Sequence, residues 1–383
     1  MAPKMKTRKM KTRKMKTREK EAATMEEDRL TNLPDDLKNR ILSSLDLKEA
    51  VQTSVLSKNW VSTWTRIPVL KFQIPGLSSV EAFDEFVNKV FTLRDESAPL
   101  KRLSYERWGP CRPELLKKAF DFALMHSVQE LKVEIDIAED FSWPICVDVS
   151  SDSVTSLVLT STMYNIGCPF LGSRPFKNLT TLHLDGPIIT DLESFTGFPS
   201  LESLTLLNYQ IKTEGKILRV KAPNLATLVI SSHYNESFNC CELTTPNMKM
   251  FAYEGSEFPR IQTHDALSVF DTLAIGFRGM DRMNEKRKFD DLMALFCVFH
   301  NARFVPLFFP MIALLTFYED ELVKRSSPFK KLNHLLLHFK GHQGWSADEC
   351  SRIASNLKDY FLHNSPDAKF TMVNPDVDDD DDV

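Results

Sequence analysis

An apolar spacing of the form apolar-x-x-apolar-x-apolar recurs through the middle of this 383-residue chain and constrains its fold more than any other feature. Successive clear copies begin 22 to 26 residues apart. One copy cannot bury its own apolar side, whereas stacked copies share a core, so each copy predicts one strand of a parallel sheet. The clear copies begin at Val128, Val154, Leu179, Leu201, Leu225, Met248 and Phe270.

This spacing lies within the range of about 20 to 29 residues that leucine-rich repeats show. We therefore expect a curved leucine-rich-repeat solenoid over residues 71–374, clearest over 128–277, within an α/β fold class. Weaker copies at Ala302 and Leu332 come after inserts with helical periodicity, and an earlier unit at Leu100 and Leu103 is possible. The same periodicity and capping rules predict helices over 80–93, 289–299, 309–322 and from Ser346, and strands over 69–72 and 369–373.

Residues 28–70 have a different, helical pattern, which gives the N-terminus α+β character. Pro34 suits a first helical position, and Leu37, Ile41 and Leu45 follow at four-residue steps. Asp46 caps a second helix, with Glu49 as its capping-box partner. A third helix is predicted from Ser57 through Trp60 and Trp64, and ends before Pro68. Three helices this short bury little surface alone, so a partner is expected to complete their burial.

The strings Leu33-Pro34-Asp35-Asp36-Leu37 and Ile41-Leu42-Ser43-Ser44-Leu45, followed by the segment Ala50 to Trp60, resemble the F-box of plant F-box/leucine-rich-repeat proteins. The alternative is a plain three-helix bundle. The resemblance implies that the F-box docks a Skp-type adaptor, and through it a cullin, in an SCF ubiquitin ligase. It implies a non-catalytic substrate receptor. The residues implied in adaptor binding are Leu33, Pro34, Leu37, Ile41 and Leu42, braced or extended by Val55, Leu56 and Trp60.

The residues between the leucines of a leucine-rich array line its concave sheet face, where we expect a protein substrate to bind. Solvated strand positions are the alternative for any one of them. Their charge is neutral to mildly acidic, which indicates no ligand class. They are Lys132, Glu134, His183, Asp185, Thr205, Leu207, Val229, Ser231, Ala252 and Glu254.

Charge concentrates at both ends of the chain. Residues 1–20 carry ten Lys or Arg against Glu19, while the whole chain has a formal net charge of −4. We expect residues 1–27 to form a disordered basic extension, with an import signal or a nucleic-acid-contacting tail as the alternative, and residues 375–383 an acidic disordered tail. No nucleic-acid partner is expected, because no recognition helix accompanies the basic run. Met25 begins a stretch typical of F-box proteins and predicts an alternative start.

No catalytic motif appears, so we expect a protein that is not an enzyme and carries no cofactor. His334, His338 and His342, near Cys350, alternate with apolar residues as exposed strand positions do, and we do not interpret them as a metal site. The seven cysteines contain no C-x-x-C, which favours reduced thiols in the nucleus or cytoplasm. The apolar stretch 304–317 is too short for a membrane span, and no membrane partner is expected.

Two other functions stay open at this point. One is a leucine-rich-repeat binding scaffold that does not assemble a ligase, and co-purification with the adaptor separates it from a ligase subunit. The other is a hydrolase with an irregular site, for which the sequence offers no polar cluster. The segment Phe361 to Pro366 also resembles the end of the FBD module found in this family, although the rest of that module's pattern is not found.

Overall fold

A computed structural model describes the chain in two compact units, 1–100 and 101–383. The residues it describes are 33–56, 59–73, 79–107, 112–135, 151–161, 166–167, 176–190, 195–233, 238–264, 267, 270–278, 285–340 and 345–373. The predicted basic extension, Met25 and the acidic tail lie outside these residues.

The first unit is mostly helical and forms from the N-terminal pattern of the sequence. Its elements are helix α1 (Asp35–Leu42), helix α2 (Leu47–Gln52), a 3-10 helix (Thr53–Val55), a second 3-10 helix (Thr63–Arg66), strand β1 (Val69–Phe72) and helix α3 (Val80–Leu93). The predicted capping box is confirmed, because the Glu49 amide donates to Asp46 Oδ1 at 2.7 Å and the Asp46 amide to Glu49 Oε2 at 3.3 Å.

The third predicted helix is not an α-helix over the residues that the structure describes here. From Asn59 the chain makes a turn and then the 3-10 helix Thr63–Arg66. Thr63 Oγ1 donates to the Asn59 carbonyl at 2.8 Å, and Thr65 Oγ1 to the Ser62 carbonyl at 2.7 Å. Threonine hydroxyls compete in this way with the α-helical backbone pattern, and β-branched residues are poor helix formers.

The core of the first unit takes side chains from its α-helices, from the second 3-10 helix and from β1. Leu42 of α1, Trp60 of the turn after Asn59 and Trp64 of the second 3-10 helix are buried. Phe72 of β1 and Phe83 of α3 are buried with them. Arg94, at the end of α3, is 5 % exposed and donates to the carbonyls of Ile67 and Pro99. Burial lowers the pKa of Arg94 to about 10, so it stays protonated and holds these backbone turns together at neutral pH.

The second unit is built from strands that follow the predicted repeats. Its strands are β2 (Arg102–Arg107), β3 (Glu130–Ile135), β4 (Ser156–Ser161), β5 (Ile166–Gly167), β6 (Thr181–Asp185), β7 (Pro187–Ile189), β8 (Ser203–Leu207), β9 (Gln210–Ile211), β10 (Ile217–Lys221), β11 (Thr227–Ser231), β12 (Cys240–Thr244), β13 (Met250–Gly255), β14 (Arg260–Thr263), β15 (Phe270–Phe277), β16 (Ala302–Phe308), β17 (His334–His338) and β18 (Lys369–Val373). Its α-helices are α4 (Pro113–Met125), α5 (Glu285–Val298), α6 (Phe309–Phe317), α7 (Glu319–Leu322) and α8 (Ala347–Phe361).

The main sheet of this unit runs in chain order, β2-β3-β4-β6-β8-β11-β13-β15-β16-β17-β18, and its strands pair in parallel. Two small parallel sheets, β5-β7-β9 and β10-β12-β14, form from the returning segments. The parallel sheet predicted from the repeat is therefore confirmed. Helices α5, and then α6 with α7, fill the two longer repeat spacings, as their periodicity predicts.

Each repeat buries the three apolar residues of its motif. Leu225, Leu228 and Ile230 are all fully buried, and the other repeats follow the same pattern. Where the repeat lengthens, Phe299 fills the space after α5 and lies against Phe251 and Phe270, each with a ring-centroid distance of 4.9 Å. The leucine core thus continues past the first long insert.

A ladder of side-chain hydrogen bonds ties each repeat to the one before it. Asn224 Nδ2 donates to the Pro199 carbonyl and Asn247 Nδ2 to the Pro223 carbonyl, both at 2.9 Å. Asn178 Nδ2 donates likewise to the Asp152 carbonyl at 2.7 Å. These residues directly precede the first apolar residue of each repeat, so they satisfy loop carbonyls that no strand reaches.

We expect Asn224→Ala and Asn247→Ala each to lower the free energy of unfolding by about 0.5–1 kcal/mol, because each removes one exposed side-chain hydrogen bond between repeats. Urea unfolding followed by circular dichroism measures the change. Asn333→Ala is the matched control, since Asn333 is exposed and its side chain makes no hydrogen bond in the part of the chain that the structure describes. Equal losses in all three variants would contradict the ladder.

Candidate functional site

The first unit exposes a set of large apolar side chains. Leu37 and Ile41, one turn apart on α1, are 46 % and 40 % exposed, and Val55 is 87 % exposed at the end of the first 3-10 helix. Leu56 and Val61 are also exposed, and a 3.4 Å hydrogen bond from Ser54 Oγ to the Val61 carbonyl brings their segments together. These five residues are called the exposed apolar set below. Because Leu37 and Ile41 are exposed side by side on one helix face, this set is the candidate interaction surface of the unit.

The structure divides the eight residues predicted to bind the adaptor into two groups. Leu37, Ile41, Val55 and Leu56 belong to the exposed apolar set, and Pro34 is exposed while Leu33 is half-buried. In contrast, Leu42 is 0 % exposed and Trp60 is 2 % exposed, so both lie in the unit's own core. Val61, which is 53 % exposed, was not among the predicted residues.

The ten residues predicted to bind substrate lie on the sheet face opposite the leucine core, called the open face below. Strand register aligns them in two rows, and all of them are half-buried. One row contains Lys132, His183, Thr205, Val229 and Ala252. The other contains Glu134, Asp185, Leu207, Ser231 and Glu254.

The open face is charged over the first strands of the sheet. Lys132 Nζ lies 3.1 Å from Glu106 Oε1 and 2.8 Å from Glu134 Oε2. Although burial disfavours its charge, hydrogen bonds to both carboxylates raise the pKa of Lys132. Burial lowers the pKa of His183 on β6, two strands from β3, so this imidazole is neutral at pH 7. Glu106 was not among the predicted residues, although it occupies the equivalent position on β2.

A second polar network crosses the open face at the ends of β11, β13 and β15. Arg278 binds Glu254 through both carboxylate oxygens, at 2.6 and 2.9 Å, and Ser231 Oγ donates to Glu254 at 3.2 Å. Hydrogen bonds from Arg278 lower the pKa of Glu254. Arg278 also contacts His233, which extends the network towards β11.

We expect Arg278→Met to raise the pKa of Glu254, because it removes the cation that favours the carboxylate. A depressed carboxyl pKa stabilises the fold above the unfolded value of about 4.3, and that contribution is lost as pH falls through the folded pKa. The stability difference between the native chain and the variant should therefore shrink on going from pH 6 to pH 3. Urea unfolding across this range measures it, and a difference that stays constant with pH would contradict the pairing.

The last strands of the sheet present aromatic and histidine side chains that the sequence analysis did not select. Phe304 stacks on His334 at 4.9 Å between ring centroids, and Phe308 lies 5.8 Å from His338. His334 and His338 are half-buried on β17, on the side opposite its leucines, as the alternation predicts. The sequence signal that could have identified this surface is the presence of aromatic residues at the non-leucine positions of the last repeats.

The described residues show no metal site and no activated thiol. No group of three or more His, Cys, Asp or Glu among them could hold a metal ion, and His342 lies outside them. Cys240, Cys241, Cys297 and Cys350 are thiols that form no disulfide with one another, and burial raises the pKa of the Cys241 thiol, which keeps it protonated. No helix in the described part of the chain has the length and apolar character to cross a membrane.

Comparison with known proteins identifies a family match in the N-terminal part of the chain and relatives that are similar over most of its length. The F-box domain family matches residues 30–72. A putative F-box/FBD/LRR-repeat protein of Arabidopsis thaliana is 30% identical over 264 residues, which are 60% of this chain and 52% of that protein. An FBD-associated F-box protein from the same plant is 29% identical over 236 residues, 60% of this chain and 55% of its own length. A putative F-box protein of that plant is 27% identical over 339 residues, 84% of this chain and 70% of the relative.

The chain thus spans about half the length of the first two relatives. The F-box match falls within the unit that carries the exposed apolar set. The F-box match and these relatives together support assignment of the chain to the plant F-box/leucine-rich-repeat protein family.

Proposed function

We propose that the chain is the substrate-recognition subunit of an SCF-type ubiquitin ligase and acts in the nucleus or the cytoplasm. The observation that carries this proposal is the exposure of Leu37 and Ile41 within the residues that match an F-box. An apolar side chain that is not part of the unit's own core and is exposed to water is available to a partner. A Skp-type adaptor, and a cullin beyond it, is the partner that an F-box recruits.

The repeat unit supplies the second half of this function. Its strands form a curved solenoid whose open face captures a protein substrate by its surface. The half-buried residues of the two rows are held in register by the parallel sheet, which makes the face a preformed binding surface. Holding a substrate beside a ubiquitin-charged enzyme raises the effective concentration of its lysines, so this chain needs no catalytic group of its own.

Co-expression of the full chain with a plant Skp-type adaptor tests the proposal. We expect the two chains to co-elute at one-to-one stoichiometry in size-exclusion chromatography, and the complex to retain a cullin added later. Elution of the chain without the adaptor would overturn the ligase role and favour the scaffold alternative. Circular dichroism of the same preparation confirms that the chain is folded when the adaptor is absent.

A further inference from the structure

The open face has two ends of different chemistry. Over β2, β3 and β6 it carries four carboxylates against two cationic side chains, which leaves a negative surplus. The carboxylates are Glu106, Glu130, Glu134 and Asp185, and the cations are Arg102 and Lys132. Over β16 and β17 the described side chains of this face include no carboxylate. The two ends therefore differ in both charge and hydrophobicity, and one uniform ligand surface does not suit both.

The far end is apolar and aromatic. Phe304, Pro306 and Phe308 follow one another along β16 and are in register with His334, Leu336 and His338 of β17. Phe308 is 42 % exposed, although it is a large aromatic residue. His334 Nε2 lies 2.9 Å from Thr371 Oγ1 on β18, which fixes the imidazole that stacks on Phe304. Rigid aromatic side chains in such a setting are the residues that dominate binding energy at interfaces.

Pro306 interrupts the backbone pairing at this end. β16 lies inside the sheet, with β15 on one side and β17 on the other. A proline there cannot donate its share of the hydrogen-bond ladder, and prolines in sheets are normally confined to edges and bulges. The register of β15 with β16 includes Phe304 and Leu307 but omits Pro306, so the proline lies where this ladder is interrupted.

The near end is acidic and fixed. Lys132 is held between Glu106 and Glu134, so its charge is already compensated and the surplus is negative. Asp185 accepts a hydrogen bond of 2.8 Å from Asn208 Nδ2, which fixes the position of its carboxylate. Such a surface complements Lys or Arg side chains of a partner.

Building on the proposed function, we propose that the open face captures one extended peptide segment of the substrate, with basic residues over β2 to β6 and aromatic or aliphatic residues over β16 and β17. Eight strand spacings of about 4.8 Å separate β3 from β17, roughly 40 Å in all. An extended segment covers this distance with about eleven residues. The two groups of the partner therefore lie about that far apart in its sequence.

Selection from a phage-displayed library of random 16-residue peptides tests this inference. The full chain is immobilised with and without a Skp-type adaptor. We expect enriched peptides to carry Lys or Arg in one half and Phe, Tyr, Trp or Leu in the other, about ten residues apart. Phe308→Ser and Glu134→Lys should each lower recovery of these peptides at least about tenfold. Glu134→Gln, which keeps the side-chain shape, should lower recovery less than Glu134→Lys.

Matched variants control for general damage. Phe317→Ser removes a phenylalanine of α6 that is more exposed than Phe308, and Asp359→Lys reverses a charge on α8. Neither residue lies on the sheet. Both variants should recover the same peptides as the native chain. Equal recovery by all variants, enriched peptides that lack either group, or no enrichment over the Phe308→Ser/Glu134→Lys double variant would each overturn the inference.

Retention of the adaptor in the same samples tests the ligase role separately. If the adaptor dissociates while peptides with both groups are still enriched, the proposed ligase role is wrong. The proposed binding of such peptides to the open face is then still supported. If the adaptor is retained and the enriched peptides lack these groups, the capture inference fails alone.

Discussion

The double substitution Leu37→Asp and Ile41→Asp should reduce retention of a Skp-type adaptor at least about a hundredfold, while the chain stays folded. Both side chains are 40 % or more exposed, so their replacement opens no cavity in the core of the first unit. In a complex, two carboxylates on α1 would be buried without partners, which costs several kcal/mol each. Isothermal titration of adaptor into the purified variant measures the loss.

A matched pair of substitutions separates this effect from general damage. Phe317→Asp and Val323→Asp place two carboxylates at exposed apolar positions of the repeat unit, which are 69 % and 76 % exposed. This variant should bind the adaptor as the native chain does. Circular dichroism and thermal unfolding should show no difference among the three proteins. Undiminished binding by the α1 variant would show that the adaptor does not use this helix.

Much of the fold was predictable because its determinants are local and periodic. The apolar triplets at fixed spacing identified strands such as Ser203–Leu207 and Thr227–Ser231, since a parallel sheet needs one such triplet per strand. Capping chemistry likewise predicted α8 from Ser346 and Glu349, whose reciprocal hydrogen bonds are present. The prediction of a third F-box α-helix was wrong. Threonine hydroxyls and neighbouring side chains, rather than apolar spacing, decide between an α-helix and a 3-10 helix there.

The candidate surfaces were less predictable, because exposure depends on what packs against a residue. Leu37 and Leu42 are both leucines of one short helix, yet one is open to water and the other fully buried. No local pattern distinguishes Trp60, which completes the core, from Val61 beside it, which is exposed. The aromatic end of the open face was missed for a related reason. Its side chains were interpreted one strand at a time, and only register places Phe304 against His334.

The substitution Phe299→Ala should lower the free energy of unfolding of the repeat unit by about 3–5 kcal/mol, the largest change in stability expected here. Its ring is 1 % exposed and lies 4.9 Å from the rings of both Phe251 and Phe270, so the cavity opens between two strands and the end of α5. Urea unfolding measures the shift in midpoint. The same deletion at Phe317, which is 69 % exposed, should cost less than about 0.5 kcal/mol. Equal costs at the two positions would mean that Phe299 does not join the long repeat to the leucine core.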